Sequence, residues 1–411
     1  MKAKLLDTRA ADRDDVRFEL APPPVVYVGN RVRLLVNGEQ YFPELLAAIE
    51  SARRSIHLET YIFADDNIGR RVADALAAAA ARGVAVRLLI DGYGGGEFAR
   101  QLVRELGVHG AEVRIYRPER WWRLERKLLR RLHRKLAVFD DRLAFVGGIN
   151  IIDDYPREEG GRLGPRFDFA VACEGPIVAA IALAAKRLWW TLSFVDPRTT
   201  AGRMPLMAQQ PRLARFPDGV AASLLLRDNL RNRRTIERAY LNAIGGSRHE
   251  ILIANAYFFP GRRFRAALRD AAARGVRVRL LLQGRIEYAL AHLGQQALYG
   301  QLLDAGVEIY EYVPSYLHAK VAVIDGHWAT VGSSNIDPYS LLLAREANIV
   351  VYDAGFARQL QSVLERAIAE DAYRLRAADY RNRRWWLRLA NWLAYGVLRL
   401  ATVILARGRD Y

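Results

Sequence analysis

Disulfide staples are excluded at the outset. Cys173 is the sole cysteine among 411 residues, so neither an internal disulfide nor a cysteine-based zinc site can form. Long apolar runs are missing too. No stretch of about 18 uninterrupted apolar residues occurs, so no segment reads as a simple membrane-spanning helix. The opening segment, MKAKLLDTRAADRDD, is too charged for a secretory signal. The 7 histidines show no helical i, i+4 pair of the metal-binding kind, and neither a metal nor another cofactor is expected. The run Gly94-Gly95-Gly96 follows a strand ending at Asp91. It has neither P-loop nor dinucleotide spacing and reads as a flexible strand exit. Negative charge is in deficit: 62 Lys and Arg face 45 Asp and Glu, for a formal net charge of +17. A field of that sign favours a polyanion, either nucleic acid or an anionic membrane.

What the chain does have is one constellation written twice. Residues 132–151 read LHRKLAVFDDRLAFVGGINI and residues 317–336 read LHAKVAVIDGHWATVGSSNI. The first copy aligns His133, Lys135, Asp140 and Asn150, and the second aligns His318, Lys320, Asp325 and Asn335. Period-2 alternation makes LHRKLAVFD and LHAKVAVID strands, so His and Lys project from one face. Asp-Asp-Arg and Asp-Gly-His are tight-turn sequences, and a second strand then leads back to the Asn. Each hairpin thus gathers an imidazole, an ammonium and an amide at one end. An imidazole can attack phosphorus or carry a proton. Lys and Asn can hold the non-bridging oxygens of a phosphate. A pair of such hairpins supplies one His for attack and one for protonating a leaving group, and the two motifs are expected to meet at one site.

The repeat extends beyond the motifs. IHLETYIF (56–63) matches ILIANAYF (251–258), ARGVAVRLLI (81–90) matches ARGVRVRLLL (273–282), and GAEVRIY (110–116) matches AGVEIYEY (305–312). Helical segments at 69–81 and 261–273 lie between them. Alternation of strand and helix predicts an α/β fold: a tandem duplication in which each half is a mostly parallel sheet flanked by helices, with a pseudo-two-fold site between the halves. The expected boundaries are an N-terminal arm at 1–24, a first domain at 25–196, a linker at 197–218 marked by Pro197, Pro205, Pro211 and Pro217, a second domain at 219–370, and a tail at 371–411.

Two basic, Trp-bearing segments choose among polyanions. One is RWWRLERKLLRR (120–131) and the other is RNRRWWLRLANWLAYGVLRL (381–400). On a helix, Trp385, Leu389, Trp392, Leu393, Gly396 and Leu400 share one side, and Arg384, Arg388 and Arg399 can snorkel. Such a helix suits the interface of an anionic bilayer, and the tail is expected to associate with membranes. The competing reading is a helix packed on the core with basic edges. Trp pairs also stack nucleic-acid bases, but this much Leu favours lipid, and no nucleic-acid partner is expected.

The paired HxKxxxxD motifs, each with its downstream Gly-x-x-Asn, resemble the signature of the phospholipase D superfamily. GSSNIDPYSLLLAREANIVVYD (332–353) and VGGINIIDDY (146–155) are similar to bacterial cardiolipin synthases, of the type without paired N-terminal transmembrane helices. The likeness spans roughly residues 30–400. It implies transfer of a phosphatidyl group from one phosphatidylglycerol to another through a phosphohistidine, releasing glycerol, at the cytoplasmic side of a bacterial membrane. A phospholipase D-type hydrolase, a transferase using another donor or alcohol and, more remotely, a nuclease are the alternatives. The resemblance makes His133, Lys135, Asp140, His318, Lys320 and Asp325 the motif residues. His133 is taken as nucleophile, His318 as acid and base, and Asp140 and Asp325 as holding turns. It further implies that Asn150, Asn335 and Ser333 bind phosphate, and that Asp168 and Glu346 orient the imidazoles. Gly148 stands in the first half where Ser333 stands in the second.

Overall fold

The computed structural model describes residues 24–118, 130–158, 161–193, 213–228, 232–337, 340, 344–381 and 385–406. Most of the arm, most of the linker and most of the basic segment 120–131 lie outside the described residues.

The first half runs β1 (Tyr27–Val36), α1 (Asn37–Ser51), β2 (Ser55–Thr60), α2 (Asn67–Ala81), β3 (Ala85–Asp91), α3 (Gly96–Val108), β4 (Glu112–Tyr116), β5 (Lys135–Phe139), β6 (Leu143–Gly147), the short ribbon β7 (Arg157–Glu158) and β8 (Gly161–Arg162), β9 (Phe169–Glu174) and α4 (Ile177–Ser193). The second half repeats this plan as β10 (Val220–Arg227), α5 (Thr235–Gly246), β11 (Glu250–Asn255), α6 (Arg262–Ala273), β12 (Arg277–Gln283), α7 (Ala289–Asp304), β13 (Glu308–Tyr312), β14 (Lys320–Ile324), β15 (Trp328–Gly332), β16 (Glu346–Tyr352) and α8 (Ala354–Glu370). Strand β17 (Ala372–Leu375) and a C-terminal helix (Trp385–Ala406) follow.

The repeated ARGV is a helix stop. Gly83 and Gly275 adopt φ of 87° and 88°, a region that only glycine enters cheaply. Gly83 N–H donates to Ala80 O at 2.8 Å and Val84 N–H to Ala79 O at 3.1 Å. Gly275 and Val276 make the matching bonds to Ala272 and Ala271. These are Schellman caps, which end α2 and α6 and turn the chain straight into β3 and β12. At the other end of α2, Asp66 accepts from Gly69 N–H at 2.8 Å. Such a cap contributes about 1 kcal/mol.

The strands form one 15-stranded sheet, in the order β17-β13-β12-β11-β14-β15-β16-β10-β1-β9-β6-β5-β2-β3-β4. The two halves join edge to edge where β1 pairs antiparallel with β10. The expectation of mostly parallel sheets needs correction. Only β2–β3–β4 and β11–β12–β13 run parallel; the motif hairpins enter antiparallel. A parallel pair needs a helical crossover. A hairpin joined by a tight turn can only be antiparallel. Helices α1–α3 cover an outer core in the first half, and α5–α7 cover another in the second. A third cluster takes residues from β9, α4, β14, β16 and α8 together, so the halves share an apolar core.

Candidate active site

Both hairpins turn as the sequence suggests. Asp140 and Asp141 have φ of 52° and 56°, and Asp325 and Gly326 have 49° and 64°, the paired positive angles of a type I′ turn. The motif aspartates sit at these turns, far from the imidazoles. Asp140 accepts from the backbone N–H groups of Arg53, Arg54 and Ser55 at 2.9, 2.7 and 2.9 Å. Asp325 accepts from Arg248, His249 and Glu250 at 2.8, 2.8 and 2.9 Å. Partial burial pushes both carboxyls up, but the three N–H donors outweigh it and hold each below its ordinary pKa. Each aspartate therefore ties the hairpin turn to the start of the neighbouring parallel strand.

The opposite ends of the hairpins meet across the pseudo-two-fold. His133 N–H donates to Arg345 O at 3.0 Å, and His318 N–H donates to Phe167 O at 2.9 Å. Each motif is thereby stitched to the strand that carries the other half's carboxylate. The side chains cross in the same way. His133 Nδ1 lies 2.9 and 3.1 Å from the two carboxylate oxygens of Glu346. His318 Nδ1 lies 2.6 Å from Asp168. Neither half is complete alone. A carboxylate on Nδ1 fixes the tautomer, with the proton on Nδ1 and a free lone pair on Nε2.

The lysines are buried beside their histidines. Lys135 Nζ donates to His133 O at 2.7 Å, and Lys320 Nζ donates to His318 O. Burial pushes Lys135 down to about 7, with Glu346 opposing and the charge of Lys320 adding to it; burial pushes Lys320 down to about 8 against the pull of Asp168 and Glu346. His318 falls to about 3 through burial and then the charge of Lys320, which Asp168 only partly offsets. His133 is also lowered, by burial first, with Glu346 opposing. Both imidazoles are thus neutral at pH 7 before an anion arrives.

The amides differ. Asn150 Oδ1 accepts from Ile62 N–H at 3.1 Å, which leaves its NH₂ to donate. Asn335 is buried, and its Oδ1 has no partner among the described residues. Ser333 departs from expectation. Its hydroxyl donates to Glu346 at 2.5 Å and accepts from Ala347 N–H at 3.1 Å. Fully buried, it holds the carboxylate that holds His133. At the matching position, a Cβ on Gly148 would lie 2.2 Å from Asp168 Oδ1. The shorter Asp168 brings its carboxylate in where the serine side chain would stand.

Three contributors were not legible as site residues. Tyr61 packs edge-on against the His133 ring with centroids 5.1 Å apart, and Lys135 Nζ lies 5.5 Å from its centre. The repeat has Ala256 there, so matching the halves could not have found it. Asp91 accepts from Leu132 N–H at 2.8 Å and Tyr93 N–H at 2.9 Å. Gln283 accepts from Leu317 N–H at 2.9 Å. Each thus clamps the residue before a motif histidine. Burial raises Asp91 to about 6, against the pull of its N–H donors. The signal was present: Asp91 and Gln283 end the two matched RLL strands. Among the remaining histidines, His57 is buried and pushed down to about 4 by desolvation and Arg87, while His327 is on the surface at a hairpin turn. No cluster that could hold a metal ion occurs among the described residues.

This paired, crossed arrangement can be set against known proteins. The family model described as "Cardiolipin synthase, PLD-like domain" matches residues 45–157 and 240–368, one block in each half. The chain belongs to this family. It is 41% identical to cardiolipin synthase B of Escherichia coli (strain K12) over 374 residues, covering 90% of this chain and 88% of that protein. It is 31% identical to cardiolipin synthase A of Pseudomonas fluorescens, covering 83% of this chain and 69% of that one. The fold is also that of a phosphatidylserine synthase from Haemophilus influenzae, with a TM-score of 0.69 at 14% identity over 93% of this chain and 96% of that chain.

Proposed function

We propose that this chain is a cardiolipin synthase that moves a phosphatidyl group from one phosphatidylglycerol to the terminal hydroxyl of another. The observation that carries this is the crossed pairing of His133 with Glu346 and of His318 with Asp168, which joins both motifs in one centre. His133 Nε2 attacks the donor phosphorus. His133 suits that role because two carboxylate oxygens, Ser333 behind them and the Tyr61 ring fix its orientation. His318 is the acid and base. It takes a proton as the anionic phosphodiester enters and offsets the field of the lysines. It gives that proton to the departing glycerol oxygen, then removes one from the incoming hydroxyl. The new alkoxide attacks the phosphohistidine phosphorus, and the P–N bond to His133 breaks. Lys135, Lys320, Asn150 and Asn335 hold the non-bridging oxygens as charge moves onto them. Asp140 and Asp325 hold the hairpins.

The enzyme works at the surface of an anionic bilayer, on the cytoplasmic leaflet. Among the described residues no helix is long and apolar enough to cross a membrane. The C-terminal helix packs on α7 through Asn391, Ala394, Tyr395 and Leu398. Its outward face exposes Trp385, Trp386, Leu389, Trp392, Leu393, Val397 and Leu400. Core packing and an apolar outer face therefore coexist on one helix. The test is incubation of purified protein with labelled phosphatidylglycerol vesicles, followed by lipid analysis with and without added alcohols. Cardiolipin and free glycerol are expected in equal amounts. Phosphatidic acid as the main product, undiminished by added alcohols, would make the chain a hydrolase.

A further inference from the structure

The exits of β3 and β12 occupy equivalent places in the two halves, and both carry exposed apolar side chains. Tyr93 is 60% exposed, and Ile286, Tyr288 and Leu290 are 62%, 61% and 45% exposed. These exits begin one residue beyond Asp91 and Gln283, which clamp the segments leading into His133 and His318. They therefore stand beside the paired histidines, on the side where a lipid headgroup would enter. Electrostatics agrees: Tyr61, packed on His133, lies within reach of both Tyr93 and Tyr288, and Lys320 lies within reach of Glu287. The Tyr288 ring lies tilted against Tyr257, with centroids 6.1 Å apart. Glu287 accepts a hydrogen bond from the Tyr257 hydroxyl.

The patch continues into the C-terminal helix, which runs antiparallel to α7. Leu398 lies at Gly294 near the start of α7, while Arg388, Asn391 and Trp392 lie at Gly300–Asp304 near its end. The outward row of that helix, with Val397 and Leu400, thus runs toward the start of α7, the end that carries Leu290. Isolated exposed apolar residues are ordinary, but a contiguous set spanning three segments and rimming a cleft marks an interaction surface.

We infer that residues 285–290 and Tyr93 form a bilayer-inserting rim around the catalytic cleft, with anionic phospholipid as the occupant. This inference rests on the reading of the chain as a phosphatidyltransferase, because the donor and acceptor must both come out of a membrane. The net charge of +17 draws the protein to such a surface, and Tyr288 and Tyr93 are suited to the headgroup boundary. The C-terminal helix supplies adhesion along one side. The rim sets the tilt, so that the cleft mouth lies flat on the lipid and a headgroup enters without its acyl chains crossing water.

The test needs no turnover. Cys173 is buried and stays unlabelled in the folded full-length chain. Ile286→Cys is labelled with an environment-sensitive fluorophore and mixed with vesicles of equal phosphatidylglycerol and phosphatidylcholine. A blue shift with a several-fold rise in emission is expected. The same label at Val108→Cys, which is 85% exposed at the far end of α3, is expected to stay unchanged. No response at position 286 while a label at Leu393→Cys responds would overturn the rim and leave the helix anchor intact. A response at position 286 that grows with protein concentration without vesicles would overturn it in favour of a second copy. Because fluorescence reads insertion alone, failure here is separable from failure to make cardiolipin.

Discussion

Asp140→Ala is the sharpest way to separate the motif's letters from its chemistry. The substitution deletes a carboxylate that accepts three backbone N–H bonds, from Arg53, Arg54 and Ser55. Bonds to a charged acceptor are worth about 1.5–3 kcal/mol each when buried. Here water can reach the turn, so about 1 kcal/mol each, or ~3 kcal/mol in all, is the reasoned loss. For a cooperative unit of about 400 residues that lowers Tm by roughly 3–4 °C. The pKa of Asp140 is depressed in the folded chain. Its contribution is therefore present above the unfolded carboxyl pKa and is lost as pH falls through the folded value, so the gap between variant and parent should close in acid. The assays are thermal unfolding at several pH values and turnover measured well below Tm. Turnover per folded molecule should stay within about threefold of the parent, since no reacting atom is touched. A loss of a hundredfold or more at unchanged Tm would refute the structural reading and make Asp140 part of the catalytic chemistry.

Other outcomes follow from the same geometry. Glu346→Gln should cut kcat by roughly 10³–10⁴-fold with little change in KM, because an amide no longer fixes the His133 tautomer. Ser333→Ala should cost about 10-fold by loosening that carboxylate; equal and large losses in KM would instead place Ser333 on the phosphate. Lys135 and Lys320 lose their charge near pH 7 and 8 in the free enzyme, so kcat/KM should fall as pH rises through that window. A rate that climbs across it would contradict the phosphate-holding role. Removal of residues 381–411 should reduce co-sedimentation with phosphatidylglycerol vesicles, and the remaining binding should weaken with salt; undiminished binding would show that the membrane surface lies elsewhere.

The duplicated motif made most of this site readable, because chemistry written twice at one spacing leaves little freedom for either copy. The I′ turns at Asp140 and Asp325 were equally local, and they formed where the tight-turn sequences placed them; the Gly83 and Gly275 stops are as local but were not picked out. The resemblance named Asp168 and Glu346 as orienting the imidazoles, but which carboxylate holds which histidine depends on how the halves meet. Nothing within the first motif announces that its histidine will be held by Glu346, 213 positions away. An asymmetric residue was hidden for a second reason: Tyr61 stands where the repeat has Ala256, so comparison of the halves discounts it. The mixed character of the sheet followed from the hairpins, whose antiparallel entry was already implicit in their tight turns. Strands β1 and β10, which weld the halves edge to edge, carry no motif and were not picked out.

The central claim is that one centre, shared by both halves, passes the phosphatidyl group through a histidine. Rapid quenching of the enzyme with phosphatidylglycerol, followed by mass spectrometry of its peptides, tests it most directly. A phosphatidyl adduct on His133 is expected and is lost in His133→Ala; in His318→Ala, which lacks both the acid for the departing glycerol and the base for the incoming hydroxyl, adduct formation and turnover are expected to slow together. Cardiolipin production in either histidine variant at the parent rate, or turnover with no adduct on any histidine, would contradict the account.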